Sequence, residues 1–425
     1  MSKIIIKKSK PLKGEIEVSG SKNSVLPIMA ATLLTKEECE IMEVPVLRDV
    51  NVMCKLLKDI GADVEGDYES DSVKIQAKKI KSNEAAYELV KMMRASILAM
   101  GPLLARNGNA KVPLPGGCAI GARPIDLHLK GFRALGANIT VESGYVEAKA
   151  KKLKGSTIYL DQPSVGATEN ILMAAVLATG NTVIENAAKE PEIVDLASFL
   201  NKMGAKIKGA GTDNIRIEGV KELHGAKHAV IPDRIETGTF MLAAAITRGD
   251  LLIKNCVPDH VKPIIAKLTE CGVSIQDAPD GMRINASKGK LKCTDVKTLP
   301  YPGFPTDMQS QFMAFLSTVE GTSIVIETVF ENRYQQIGEL NRMGADIKIE
   351  GRSAVIEGGC ELKGAEVVST DLRAGAALVL AGLAASGQTE ISEIYHIERG
   401  YSGLIDKLKK VGADIEKVGT DSDVE

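Results

Sequence analysis

The sequence predicts a two-domain α/β protein assembled from six copies of one small module. Three observations carry that reading. A glycine-centred octet recurs six times along the 425 residues. Each copy has a helical pattern before it and a β-branched pattern after it, and a second, more apolar helical segment lies upstream. A chain of 425 residues is also too long for one ordinary core and fits two or three.

The repeat begins as Leu57-Lys58-Asp59-Ile60-Gly61-Ala62-Asp63-Val64 and returns at Phe132 to Ile139, Leu200 to Ile207, Leu268 to Ile275, Leu340 to Ile347 and Leu408 to Ile415. Its glycines stand at 61, 136, 204, 272, 344 and 412. A period near seventy residues is too long for a solenoid unit and suits a small α/β module. Apolar residues at i, i+3 and i+4 ahead of each glycine mark an amphipathic helix closed by a glycine C-cap. Segments such as Ala345-Asp346-Ile347-Lys348-Ile349 alternate and read as strands. Ala374 to Ala385, Met173 to Thr179 and Phe240 to Thr247 read as the apolar helices, each followed by a turn and a strand. These carry little charge, so each module is expected to bury one helix and expose the other. Six modules imply two pseudo-symmetric domains of three, with a boundary near Ile231-Pro232-Asp233. The expected division is 22–232 against 1–21 with 233–425, because the second domain needs the N-terminal residues to complete its sheets.

Composition excludes several functions. A hydrophobic share of 44% with 25% charged residues is that of a globular protein and excludes a collagenous or disordered chain. A net charge of −2 offers no global attraction to nucleic acid or an anionic membrane, so any anion site must be local. No apolar run reaches the roughly 18–20 residues of a membrane helix. The start, Met1 to Lys8, has a three-residue apolar core and is not expected to act as a signal peptide. Seven cysteines without CxxC spacing suggest reduced thiols and a cytoplasmic protein. The five histidines lack metal-ligand spacing, and no P-loop, GxGxxG or Ser/His/Asp signature appears. No metal and no cofactor are expected; the expected partner is a small molecule.

The clearest local anomaly is the loop Leu114-Pro115-Gly116-Gly117-Cys118-Ala119-Ile120-Gly121-Ala122-Arg123-Pro124. A thiol near Arg123 and loop N–H groups can be reactive, although the same spacing fits a turn with an incidental cysteine. The other six cysteines lie in helix or strand patterns and read as core. Lys22 ahead of an apolar helix, Arg94 ahead of Ala95 to Leu104, Arg373 ahead of Ala374, and Arg399 at the start of the last amphipathic helix all stand at helix entries. Four such cations suit a small ligand with several negative charges, while each alone fits a solvated surface residue. Asp307, in Pro305-Thr306-Asp307-Met308-Gln309, is by default an N-cap and alternatively a general base. Val329-Phe330-Glu331-Asn332-Arg333 carries the same ambiguity.

These segments occur in a telling order: Gly20-Ser21-Lys22-Asn23, the Gly116 to Pro124 loop, Pro305 to Gln309, Val329 to Arg333, Asp371 to Ala374, and His396-Ile397-Glu398-Arg399-Gly400. With Ile231 to Gly238, they closely resemble the UDP-N-acetylglucosamine enolpyruvyl transferases over almost the whole chain. The resemblance implies two inside-out α/β domains, each of three βαβαββ modules with buried helices, and a ligand cleft between them. It implies transfer of the enolpyruvyl group of phosphoenolpyruvate to the 3′-hydroxyl of UDP-N-acetylglucosamine, the first committed step towards peptidoglycan. Such a reaction needs an acid, a base and cations around phosphate and carboxylate.

By the same resemblance Cys118 is the general acid, able to hold the enolpyruvyl unit covalently and open to inactivation by fosfomycin. Its loop would swing over the ligands and exclude water. Asp307 resembles the residue that takes the hydroxyl proton. Lys22 and Arg123 resemble phosphate clamps, with Arg399 a further cation, Arg373 at the carboxylate and Asn23 beside Lys22. Arg94, Arg123, Pro124, Ile125, Asp126, Leu127, Ser164, Val165, Gly166, Asp307 and Val329 match sugar-nucleotide contacts. Two positions depart from the pattern. Gln162-Pro163 stands where well-known members carry Lys-Val, which leaves one nucleotide contact open, and Leu98 replaces a tryptophan found in some. The competing readings are the sister enzyme that uses shikimate 3-phosphate and an inactive paralogue serving as a binding protein. A monomer or weak homo-oligomer is expected.

Overall fold

The structure, a computed structural model, describes residues 2–66, 71–114, 121 and 124–419. The third module shows the repeating unit whole. Strand Thr157–Tyr159 leads to helix Val165–Ala175, strand Asn181–Glu185, helix Pro191–Lys202 and the strands Lys206–Lys208 and Asn214–Glu218. Thr157–Tyr159 forms a parallel edge beside Asn181–Glu185, which pairs antiparallel with Asn214–Glu218. Lys206–Lys208 closes the other edge. Among the described residues, five sheets have four strands in this order. The sixth has three, Asn109–Pro113, Tyr145–Lys149 and Asn138–Glu142. There a single parallel bridge from Glu84 to Lys111 stands where the others have an edge strand.

Three modules borrow a strand from far along the chain. Lys227–Ala229 forms the parallel edge of the first module, against Glu38–Met42. Lys13–Glu17 does the same for the fourth, against Asp250–Lys254. The N-terminal strand Lys3–Lys7 lies between Gln388–Ser392 and Ile415–Val418 in the sixth. The described residues accordingly fall into two compact units, 20–114 with 124–231, and 2–19 with 121 and 232–419.

Each unit is built inside out. In the first unit, helices Lys22–Ala31, Met100–Asn107 and Val165–Ala175 form the centre; Met100–Asn107 packs on Val165–Ala175. In the second unit, Leu372–Ala384 packs against both Gln309–Leu316 and Arg234–Ile246. Leu172, Met173, Leu242, Phe312, Phe315 and Leu378 are wholly buried. Each such side chain contributes about 1.5–3 kcal/mol on leaving water. The amphipathic helices pack one face inward and close alike. In all six octets the sixth residue's N–H bonds the first residue's carbonyl, as Ala137 N does to Phe132 O at 2.9 Å. This is a Schellman closure, and it needs a left-handed residue at the glycine. The six glycines have φ of 112°, 93°, 100°, 90°, 96° and 100°.

Four expectations need correction. The apolar helices begin earlier than Met173, Phe240 and Ala374, at Val165, Arg234 and Leu372. Their first turns mix small and polar residues with single apolar ones, as in Val165-Gly166-Ala167-Thr168, which hides them from a search for apolar periodicity. Arg94 opens a 3-10 stretch, Arg94–Ala99, and the α-helix starts only at Met100. Pro102 is the reason, since proline fits the first turn of a helix and not its interior. Arg399 does not open the last amphipathic helix. It caps the one-turn helix Tyr395–Glu398, and Gly403, at φ 61°, separates that turn from helix Leu404–Lys410. Finally, Cys39, Cys54 and Cys271 are buried as core, but Cys256, Cys293 and Cys360 are half-buried outside helices and strands. Cys256 and Cys360 sit in turns and bond back to Ile253 O and Glu357 O.

Two predictions follow from the packing. A Cβ at Gly136 would meet nothing within 4 Å, so only its left-handed backbone resists a side chain. Gly136→Ala is expected to lower stability by about 1–2 kcal/mol, and Gly136→Asn by less. Urea unfolding of both variants checks this, and a Gly136→Ala protein as stable as the parent refutes it. The second concerns Glu169, buried in helix Val165–Ala175. Burial, then Glu192 and Glu190, push its carboxyl well above the ordinary carboxylate range. The folded state then holds a proton that the unfolded state gives up above about pH 4.3. Stability from this group is full below that pH and falls as pH rises towards the folded value. Glu169→Gln should flatten the decline in stability above about pH 5. An unchanged slope in urea unfolding across that range would show that Glu169 does not titrate.

Candidate active site

The second unit concentrates its buried charge around Asp307. This residue lies in the 3-10 turn Thr306–Met308, which runs into helix Gln309–Leu316. Pro305 and Met308 stand at the N-cap positions of the turn and the helix, so Asp307 is the N-cap of neither and that reading is corrected. Its two carboxylate oxygens instead accept from Arg333 Nη2 and Arg373 Nη2, each at 2.9 Å. The arginine side chains are 2% and 4% exposed, against 27% for Asp307. Water therefore reaches the carboxylate and hardly touches the cations. Two guanidiniums gathered on one carboxylate make this the charged pole of the unit.

Neighbouring groups fix that pole. Gln311 Nε2 donates to the Asp307 carbonyl at 2.9 Å and to Tyr401 Oη at 3.1 Å. The Arg373 guanidinium lies 5.4 Å from the Tyr401 ring centre, within cation–π range. Burial works against the charge on Arg373, but Asp307, Tyr401 and Asp233 outweigh it and hold its proton more tightly than usual. Asp371 caps helix Leu372–Ala384 through the N–H groups of Arg373 and Ala374, which sets where the Arg373 side chain starts. Glu327 organises the rest. Its Oε1 accepts from Thr298 Oγ1 and from the N–H groups of Val329 and Phe330, and its Oε2 from Thr306 Oγ1. It thereby ties the Val329 turn to the Asp307 turn. Arg399 is half-buried near His396, whose pKa is pushed down by burial and then by Arg399.

In the first unit Lys22 is the first residue of helix Lys22–Ala31 and is 8% exposed. Its Nζ lies 2.8 Å from Asp49 Oδ2, on the first turn of helix Arg48–Ile60. Asn23 follows, half-buried. A second group joins three elements: Asn170 Nδ2 donates to Ile97 O and faces His128 Nδ1 at 3.1 Å, and its Oδ1 accepts from Gly101 N. Burial and then the Arg94 charge push His128 down to about 4. The imidazole is thus neutral, and with Nδ1 accepting from the amide its proton lies on Nε2. A Cβ at Gly166 would come within 3.3–3.4 Å of the His128 ring, which favours glycine there. Ser164 caps helix Val165–Ala175, its Oγ accepting from Ala167 N. Pro124 and Asp126 are exposed, whereas Ile125 and Leu127 are buried. Gln162 is exposed.

The structure thus brings Asp307 together with Arg373 in one unit, and Arg94 near Gly166 through His128 in the other. It places Val329 on the turn that Glu327 holds. Cys118 and Arg123 lie outside the described residues. Sequence reasoning missed Asp49, Glu327, Asn170 and the role of Arg333. It stopped one residue short of His128 in the run from Arg123 to Leu127. Asp49 and Glu327 look like ordinary helix-start and strand-end acids; only their burial marks them. Among the described residues no group of three His, Cys, Asp or Glu residues could hold a metal ion. None of the helices described is long and apolar enough to cross a membrane.

Comparison with known proteins agrees with this picture. A family model described as EPSP synthase (3-phosphoshikimate 1-carboxyvinyltransferase) matches residues 6–408. The chain is 64% identical over 414 residues to UDP-N-acetylglucosamine 1-carboxyvinyltransferase 1 of Caldanaerobacter subterraneus subsp. tengcongensis, spanning 97% of this chain and 99% of that one. It is 59% identical over 419 residues to UDP-N-acetylglucosamine 1-carboxyvinyltransferase 2 of Carboxydothermus hydrogenoformans, spanning 98% and 100%. The crystal structure of the enolpyruvyl transferase NikO from Streptomyces tendae is similar at TM-score 0.88 and 25% identity, with 98% of each chain covered. EPSP synthase from Acinetobacter baumannii, at TM-score 0.75 and 20% identity over 99% of this chain and 100% of that one, shares the fold. With a family model matched along nearly its whole length and close relatives of the same size, the chain belongs to the EPSP synthase family of enolpyruvyl transferases.

Proposed function

We propose that the protein transfers the enolpyruvyl group of phosphoenolpyruvate to the 3′-hydroxyl of UDP-N-acetylglucosamine and releases phosphate. The geometry that supports it is the water-accessible Asp307 carboxylate held by two buried arginines. It stands in a chain 57–64% identical to proteins named for this activity. The same relatives favour this acceptor over shikimate 3-phosphate. Retention of Lys22, Cys118, Asp307 and Arg399 together argues against an inactive paralogue.

Cys118 protonates the methylene carbon of phosphoenolpyruvate, which makes the adjacent carbon electrophilic. The sugar 3′-oxygen attacks that carbon while Asp307 takes the hydroxyl proton. The resulting tetrahedral ketal then returns a methyl proton to the Cys118 thiolate as its carbon–oxygen bond to phosphate breaks, and the enol ether and phosphate leave. Lys22, Arg123 and Arg399 stabilise the departing phosphate, Arg373 meets the carboxylate and Asn23 holds ligand groups beside Lys22. Arg94, the residues Arg123 to Leu127, Ser164 to Gly166, Asp307 and Val329 hold the sugar nucleotide. The neutral His128 extends that set, because it faces Gly166 beside Arg94. The protein acts in the cytoplasm on small molecules, as a monomer or weak homo-oligomer, at the first committed step towards peptidoglycan.

Phosphate release from phosphoenolpyruvate is expected with UDP-N-acetylglucosamine and not with shikimate 3-phosphate. Release with shikimate 3-phosphate alone would transfer the assignment to the sister activity. Asp307→Asn should lower kcat by about 10²–10⁴-fold, the usual worth of a positioned base, and Cys118→Ala should abolish turnover. Cys118→Ala should keep sugar-nucleotide affinity within a few fold, and Asp307→Asn should lose far less in binding than in turnover. If turnover per folded molecule survives in Asp307→Asn, the residue is only a counter-ion for its two arginines.

A further inference from the structure

Helix Lys22–Ala31 differs from three of its buried counterparts at its start. Ser164, Asp233 and Asp371 each cap a helix with a side chain, whereas Ser21 makes no such bond. The first turn is held from elsewhere. Ser24 Oγ donates to Asp195 Oδ2 at 2.5 Å, and Ile231 N donates to the same oxygen at 3.2 Å. Ser21 N in turn donates to Ile231 O at 2.7 Å. Ser21, Ser24, Asp195 and Ile231 therefore form a closed ring of hydrogen bonds around the turn that begins with Lys22 and Asn23.

The other carboxylate oxygen is held as firmly. His228 Nε2 lies 2.8 Å from Asp195 Oδ1, and Lys202 Nζ lies 3.1 Å from His228 Nδ1. An ammonium can only donate, so Nδ1 accepts and the imidazole proton sits on Nε2, aimed at Asp195. Phe199 packs on the imidazole with ring centres 5.5 Å apart. Ser24, Asp195 and His228 are all buried. A polar chain in an apolar interior is costly unless every member is satisfied, and here both carboxylate oxygens are. Ser24 donates to the carboxylate and not to the imidazole, so this is no activated nucleophile.

We propose that Asp195 is a positioning residue, which clamps the first turn of helix Lys22–Ala31 through Ser24 and so presents Lys22 and Asn23 to the phosphate of phosphoenolpyruvate. The proposal rests on the reading of Lys22 and Asn23 given above. A purely structural role would lower the amount of active protein, reducing kcat and leaving both KM values unchanged. A positioning role acts on one substrate.

Asp195→Asn and Ser24→Ala test it. Ser24→Ala removes only the link to the helix and leaves Asp195 bonded to Ile231 and His228. In both, the KM for phosphoenolpyruvate should rise at least fivefold, with that for UDP-N-acetylglucosamine within twofold of the parent. Amide hydrogen exchange over residues 22–26 should rise at least tenfold, with the rest of the unit unchanged. Unaltered exchange there, or loosened exchange with unaltered KM for phosphoenolpyruvate, overturns the proposal. If Asp195→Asn fails to fold, Ser24→Ala decides alone. A parent protein that releases no phosphate refutes the activity, and the exchange measurement still decides whether Asp195 holds the turn.

Discussion

A helix buried on every side meets charged groups chiefly at its ends, and this constraint shapes both the fold and its chemistry. The centre of each unit is made of such helices, rich in alanine, leucine and methionine. Their first-turn N–H groups lack partners within the helix and must find them outside it. They also carry the positive end of the helix dipole. Lys22, Arg94, Ser164, Asp307 and Arg373 all lie at or just before the start of a buried helix or the 3-10 turn leading into one. Charge is collected there because the middles of these helices offer it neither water nor a counter-ion.

Asp307 shows how the constraint becomes chemistry. Burying Arg333 and Arg373 without a counter-charge would cost several kcal/mol each, far more than a surface pair recovers. One carboxylate serves both, and it keeps enough exposure to meet a ligand while its partners do not. Glu327 and Gln311 then do for the backbone what Asp307 does for the side chains. They fix the two turns on which the charged groups stand, so little reorganisation is left for the moment a ligand arrives.

The repeated parts of the molecule were legible in the sequence, and the unrepeated parts were not. The six octets announced six Schellman closures because a glycine after an amphipathic stretch has one common use. The alternation that follows them announced the strands. The starts of the buried helices left weaker marks. Thr168, Glu169 and Asn170, or Glu236, Thr237 and Thr239, break the apolar pattern, and only the fold reveals that all six are buried. Arg399 was placed at a helix start because Gly400 and Gly403 were not weighed as breakers. The candidate residues came from matched segments; Asp49, Asn170, Asp195 and Glu327 lie outside them, and their importance depends on burial that spacing cannot show.

The same division says where such a protein can change. The C-terminal ends of the six amphipathic helices are alike because each only has to stop a helix and turn a strand. The starts of the six buried helices fall into three kinds: one uncapped and clamped from Asp195, three capped by their own serine or aspartate, and two approached through 3-10 turns. Symmetry is kept where the task is stability and broken where the task is recognition. A first turn therefore changes together with the partners that hold it, as Asp195 holds Ser24 and as Arg333 and Arg373 hold Asp307. Proteins that share this fold at 20–25% identity fit that view, for the helices and sheets are common to all of them.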